Sequence, residues 1–166
     1  MVGNVKQAII LIADVGKEEE TVTRLTRVGF DNIIGHLKGG FNSWKNAGKE
    51  VDTINRISAK KFAEEVNIGK SKVIDIRRIS EYSAEHVAES YNRPLIEINE
   101  WIKEINPEEH FYLHCAGGYR SMIAASILEA RGYRNFSEIE GGFKDISETA
   151  IPKTDFVCQS KLLTTK

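Results

Sequence analysis

The side chain in this sequence best suited to covalent chemistry is Cys115, which heads the run Cys115-Ala116-Gly117-Gly118-Tyr119-Arg120-Ser121. A thiolate is a strong nucleophile, and a modest local field suffices to form it near neutral pH. The run supplies such a field three times over. Gly117 and Gly118 let the backbone curl so that successive N–H groups converge, an arrangement that binds anions. A helix starting near Ser121 contributes orphan N–H groups and the positive end of its dipole. Arg120 adds a permanent cation with a planar fork matched to an oxyanion. Singly, each feature is ordinary: a lone cysteine at a strand end is most often a small buried hydrophobe, and a Gly-Gly pair is a turn. Together they describe a cradle for a nucleophilic sulfur, for the outer sulfur of a persulfide, or for the oxyanion of a sulfur donor. Cys115 and Arg120 are the expected catalytic pair. Ala116, Gly117, Gly118, Tyr119 and Ser121 are the expected substrate-binding positions.

A cradle of this kind needs rigid elements on either side. Phe111 to His114 is a short apolar strand candidate ending at the cysteine, and Ser121 to Arg131 is helical in pattern. Ligand sites in parallel sheets lie beyond the carboxyl ends of the strands, where this loop falls. Upstream, Ser58 is a plausible N-cap for a helix through Val66, and Lys72 to Ile76 reads as a buried strand. Ser80 is expected to cap a short helix through Glu85, and Asn99 one through Ile105. Short apolar strands alternating with helices imply an α/β domain, a parallel sheet flanked by helices.

The sequence also repeats itself. Gly29-Phe30-Asp31-Asn32 through Lys38-Gly39-Gly40-Phe41 matches Gly132-Tyr133-Arg134-Asn135 through Glu140-Gly141-Gly142-Phe143. Before each lies a strand candidate, a Gly-containing turn and a helix: Ile9 to Ala13 with Glu18 to Val28 in the first copy, Phe111 to His114 with Ser121 to Arg131 in the second. The first copy has no counterpart to the long stretch ahead of Phe111. The expected organisation is therefore half a repeat at 1–52, a complete domain at 53–155, and a tail at 156–166.

With these residues set out, the second copy resembles the rhodanese family along nearly its whole length. Asp75-Ile76-Arg77 is similar to that family's Asp-x-Arg, and Glu81-Tyr82 with Glu85-His86-Val87 to its Glu-Phe and Gly-His-Ile elements. Pro94-Leu95 and Glu140-Gly141-Gly142-Phe143 resemble its Pro-Leu and closing Gly-Gly motifs. Glu85 departs from the usual glycine, Ser90 to Arg93 is an atypical approach to the proline, and Lys144 to Ala150 lacks the usual tryptophan. The resemblance implies a rhodanese-like fold and sulfur transfer through a Cys115 persulfide, from thiosulfate or a persulfide to a thiol or cyanide. Four residues separate Cys115 from Arg120. Related cysteine phosphatases place five there, so the shorter ring favours sulfur over phosphate, with phosphatase or arsenate reductase chemistry as the competing reading.

The first copy resembles only the second half of a rhodanese. Gly39-Gly40-Phe41, Trp44 and Ala47-Gly48 match the closing segment, but Ala13 to Glu20 contains no cysteine. Glu18, Glu19 and Glu20 stand where the other copy has Tyr119, Arg120 and Ser121; they suit a helix start and repel an anionic donor. A silent unit ahead of an active one resembles the C-terminal part of metallo-β-lactamase-fold proteins fused to rhodanese domains. It implies a metal-binding domain outside these residues and, as a second reading, a binding or sulfur-delivering module of a hydrolase or persulfide dioxygenase. The four histidines form no His-x-His-x-Asp-His cluster, and neither metal nor cofactor is expected here.

The remaining candidates read as structural. Asp75 and Arg77 are expected to brace the loop as an ion pair rather than touch substrate. His86 reads as a packing residue, and Trp44 and Trp101 as core. Tyr119 shapes the mouth or is merely exposed, and Cys158 in the tail is an idle thiol sooner than a resolving one. With 23 Lys plus Arg against 24 Asp plus Glu, the net charge of -1 gives no general drive toward nucleic acid or anionic membrane. The longest apolar run, Ala8 to Ala13, is too short to span a bilayer and lacks signal-peptide flanks, so a cytoplasmic location is expected. The open half repeat is expected to pack on a protein surface, with a homodimer as one way of doing so.

Overall fold

A computed structural model describes residues 4–158, in two compact units, Met1–Thr53 and Ile54–Lys166. The last eight positions of the expected tail lie outside the described residues.

In the second unit, strands β3 (Arg56–Ile57), β4 (Lys72–Asp75), β5 (Tyr91–Asn92), β6 (Phe111–His114) and β7 (Phe136–Ile139) form one sheet in the order β3-β7-β6-β4-β5. Every pairing is parallel. The central strands are buried along their length except at Lys72, as a parallel sheet covered on both faces requires. Helices α3 (Ala59–Glu65) and α7 (Gly142–Ser147) cover one face, where Phe62, Val73, Tyr112, Ile139 and Ile146 share a core. On the other, α5 (Ile98–Trp101) and α6 (Tyr119–Ala130) enclose Ile74, Trp101, Leu113, Ala124 and Leu128. All strands run the same way, so β4, β5 and β6 end on the same side, and that side carries the nucleophile loop.

Two expected helix starts are corrected. Ser58 does cap α3, accepting from the Lys61 N–H at 3.2 Å. Ser80 caps nothing: α4 (Ile79–Ala84) begins before it, because the Glu81 carboxylate accepts the Arg78 N–H at 3.1 Å. Asn99 lies inside α5, which grows from a 3-10 turn at Leu95–Glu97 begun by Pro94 and runs into another at Ile102–Glu104. Trp101 is core as expected, its Nε1–H donating to the Pro94 carbonyl at 2.9 Å. The described part of the tail is tied down, the Val157 N–H donating to the Ala84 carbonyl at 2.7 Å.

The first unit holds a parallel pair, β1 (Ile9–Leu11) and β2 (Ile33–His36), with α1 (Glu18–Thr26) and α2 (Gly40–Asn46). The expected first strand stops at Leu11, two residues early. Gly40 packs its Cα on the Ala13 carbonyl, just as Gly142 does on that of Cys115, so Ala13 is the internal counterpart of Cys115. On this register Ile10, Ile12, Phe41 and Trp44 correspond to Tyr112, His114, Phe143 and Ile146, all buried in the complete domain. Here they are 67%, 57%, 54% and 40% exposed. Trp44 is thus not a core residue, and its Nε1–H is satisfied by the Glu50 carbonyl at 2.9 Å. Its internal counterpart is covered by α3 and its neighbouring strands, elements this unit lacks.

Candidate active site

Cys115 follows the last residue of β6 and is 1% exposed. Its backbone is pinned from the far side of the loop. The N–H groups of Phe143 and Lys144, at the start of α7, donate to the carbonyls of Cys115 and Ala116 at 2.6 and 2.9 Å. This approach needs Gly142, where a Cβ would fall 2.5 Å from the Cys115 oxygen. Gly118 adopts φ 90, a left-handed conformation that glycine reaches without penalty. That conformation turns the Gly118 N–H onto the Cys115 Sγ at 3.2 Å, and Ser121 Oγ lies 3.5 Å from the sulfur. Of the converging N–H groups expected, that of Gly118 reaches the sulfur, at the N-terminus of α6. The helix begins at Tyr119, two residues ahead of the expected start, because Gly118 already supplies the turn.

The loop's arginine does not stand open. Arg120 donates through both terminal nitrogens to the two carboxylate oxygens of Glu81, each at 2.7 Å. This bidentate pair ties α6 to α4 and holds the Glu81 carboxyl below the usual carboxylate range, while Glu81 raises the Arg120 guanidinium further. Tyr119 projects outward, 81% exposed, while Ala116 and Gly117 form the curve of the loop.

Asp75 and Arg77 form a fully enclosed pair. Arg77 Nε and Nη2 reach Asp75 Oδ2 at 2.9 and 2.6 Å, and Nη2 also donates to the Glu85 carbonyl at 2.8 Å. The guanidinium lies 4.0 Å over the Phe143 ring, so the pair braces the segment that pins Cys115. His114 is wholly buried beside it, and burial pushes its imidazole below the ordinary histidine range, toward the neutral form. Its Nδ1 faces the Cys115 carbonyl at 3.2 Å, and its Nε2, 3.9 Å from Asp75 Oδ2, is the one buried side-chain polar atom without a hydrogen-bond partner among the described residues. His86 stacks on Tyr82 at 3.7 Å with Nδ1 2.7 Å from the Tyr82 carbonyl, a packing role as expected. Cys158 is exposed.

A buried carboxylate is linked to the sulfur through Ser121, and sequence reasoning missed it. Glu138, in the middle of β7, is fully buried and accepts the Ser121 hydroxyl at 2.5 Å. Arg56, its cross-strand partner on β3, donates to its other oxygen at 2.8 Å. The available signal was a glutamate between apolar Phe136 and Ile139, just ahead of the Gly141-Gly142 pair.

The sequence profile of the rhodanese-like domain family matches residues 58–149, more than half of the chain. The "Putative sulfur carrier protein YrkF" of Bacillus subtilis is 30% identical over 116 residues, 68% of this chain and 60% of its own length. The chain thus spans about three fifths of that relative. The thiosulfate sulfurtransferase PspE of Escherichia coli is 38% identical over 82 residues, 48% of this chain and 75% of its own. Among solved structures, a rhodanese-related protein of Thermoplasma volcanium superposes with a TM-score of 0.54 at 30% identity, covering 60% of this chain and 97% of that one. A thiosulfate sulfurtransferase of Pseudomonas aeruginosa shares the fold over 94% of this chain and 34% of its own, with a TM-score of 0.52 at 19% identity. The family profile over more than half of the chain and the similar five-stranded parallel sheets of solved rhodanese-like proteins settle the family: the chain belongs to the rhodanese-like domain family.

Proposed function

We propose that this protein is a sulfurtransferase working through a persulfide on Cys115. The Cys115 thiolate attacks the sulfane sulfur of a donor, a new S–S bond forms, and the donor leaves as sulfite or a thiolate. An acceptor thiolate or cyanide then attacks the outer sulfur, and Cys115 departs as the thiolate that began the cycle. The observation that carries this reading is the Gly118 N–H held 3.2 Å from the Cys115 Sγ at a helix N-terminus. A donor there stabilises a thiolate and, one bond further out, the charge of a persulfide. Ala116, Gly117 and Gly118 form the cradle, Ser121 flanks the sulfur, and Tyr119 lies at the mouth. Arg120 acts with Glu81 as one unit that frames the loop. Asp75 and Arg77 support the site without touching substrate. The similarity to the thiosulfate sulfurtransferase PspE and the sulfur carrier YrkF favours thiosulfate or a carried sulfur as the donor. Thiocyanate formation from thiosulfate and cyanide tests the reading; release of phosphate from a phosphoester in its place would favour the phosphatase alternative.

Residues 1–52 we read as the closing half of an inactive rhodanese-like repeat. In support, Ala13 occupies the place of the cysteine, and Glu18, Glu19 and Glu20 fill the first turn of α1. Such a silent unit ahead of a complete one favours a second reading, in which this domain delivers sulfur within a larger metallo-β-lactamase-fold protein.

A further inference from the structure

Each arginine described around Cys115 already has a carboxylate: Arg120 on Glu81, Arg77 on Asp75, and Arg56 on Glu138 with Glu140 at 3.3 Å. Of these acids, Glu138 alone is linked to the sulfur through a side chain. Ser121 Oγ lies 3.5 Å from Sγ and 2.5 Å from Glu138 Oε1, so the carboxylate is at most the sum of the two, 6.0 Å, from the sulfur. Ser121 has one proton and three acceptors in reach: the Glu138 oxygen, the Gly118 carbonyl at 3.0 Å and the sulfur. The carboxylate is the nearest and the only charged oxygen among them, so it takes the proton. The hydroxyl then turns a lone pair, not its hydrogen, toward Cys115.

We infer that Glu138 is a positioning residue that restrains Cys115, orienting Ser121 as an acceptor and opposing the thiolate that the Gly118 N–H and α6 favour. The other charged or titratable groups on the elements around the loop are Arg120 on α6 with its partner Glu81 on α4, Asp75 at the end of β4 with Arg77 just after it, and neutral His114 on β6. Arg56, on the far side of the carboxylate, moderates it without cancelling it, because Arg56 is partly exposed and Glu138 is not. The restraint keeps the resting cysteine from reacting with adventitious electrophiles until a donor's own charge distribution and hydrogen bonds take over. The inference rests on Cys115 as the nucleophile, yet its test needs no sulfur donor.

That test is the pH dependence of iodoacetamide alkylation of Cys115 in the full chain, with Cys158→Ser as background. Glu138→Gln removes the charge and frees the Ser121 proton to turn to the sulfur. Its alkylation midpoint should move down by about one pH unit, the scale set by a like charge at this separation. Glu138→Asp keeps the charge and should stay with the parent protein. A Glu138→Gln midpoint that does not move, or a Glu138→Asp midpoint that moves equally, overturns the inference. If thermal melting shows Glu138→Gln unfolded, Arg56→Gln probes the pair from its exposed end: its midpoint should rise, and an unmoved one overturns the inference equally. Alkylation profiles that move as stated in a protein that transfers no sulfur would count against the proposed function alone.

Discussion

At the scale of residues, the nucleophile and its loop were legible because the signal is local: a cysteine, two glycines and a helix start within seven positions. What Arg120 does was not, because its partner Glu81 lies 39 positions away and the pairing depends on how α4 packs. This pairing predicts that Arg120→Ala and Glu81→Ala slow transfer by similar amounts. Loss of one charge-assisted contact is worth on the order of 1.5–3 kcal/mol, or about one to two decades in rate. Their double variant should lose little more than either single one, and steady-state kinetics of the three proteins will show it. A second residue-scale prediction concerns His114. Burial lowers the pH at which it protonates, so below the ordinary histidine range, about 6.5, the unfolded chain binds a proton that the folded one refuses. Stability should therefore fall as pH drops from 7 toward 5, and a neutral His114→Gln variant should lose part of that slope in urea titrations. Glu81 acts in a separate window: its lowered carboxyl contributes stability above the ordinary glutamate range that disappears as pH falls through the folded value.

At the scale of elements, apolar runs revealed β1, β4 and β6 but not β2, β3, β5 or β7, and glycines marked the ends of α1 and α6. The short helices were less legible. Ser80 and Asn99 are good caps by type, but Glu81 reaching back to Arg78 and Pro94 starting a 3-10 turn decided the starts. Glu138 escaped notice because a charged residue in a buried strand contradicts the pattern unless its partners, Arg56 and Ser121, are known. The contact between α7 and the nucleophile loop yields a prediction of its own. Gly142→Ala would place a methyl 2.5 Å from the Cys115 carbonyl at φ 60, combining a clash with backbone strain. It should cost about 1–3 kcal/mol in urea unfolding and also slow alkylation of Cys115 by displacing the loop. Gly132→Ala, left-handed but with open space around it, should cost about 1–2 kcal/mol and leave the alkylation rate alone.

At the scale of the whole molecule, the internal repeat was readable because Gly-Gly-Phe recurs with its flanking strand and helix. How the apolar residues of the first copy are disposed was only partly foreseen. Burial of Ile9 to Ile12 was expected, yet only Leu11 is buried, while Ile10, Ile12, Phe41 and Trp44 form the open counterpart of a core face. Exposed apolar side chains of this kind favour association, so light scattering of the full chain should give a mass that rises with concentration. A chain starting at residue 54 should stay monomeric; equal masses for both would show that the first unit contributes nothing to association. No described helix is long and apolar enough to cross a membrane. The central claim, a persulfide on Cys115, is tested most directly by intact-mass and peptide mass spectrometry after incubation with thiosulfate or glutathione persulfide. The protein should gain one sulfur atom, borne by the Cys115 peptide, and Cys115→Ser should gain none there. A wild-type chain that acquires no sulfur from either donor, or a Cys115→Ser variant that acquires as much, would contradict it.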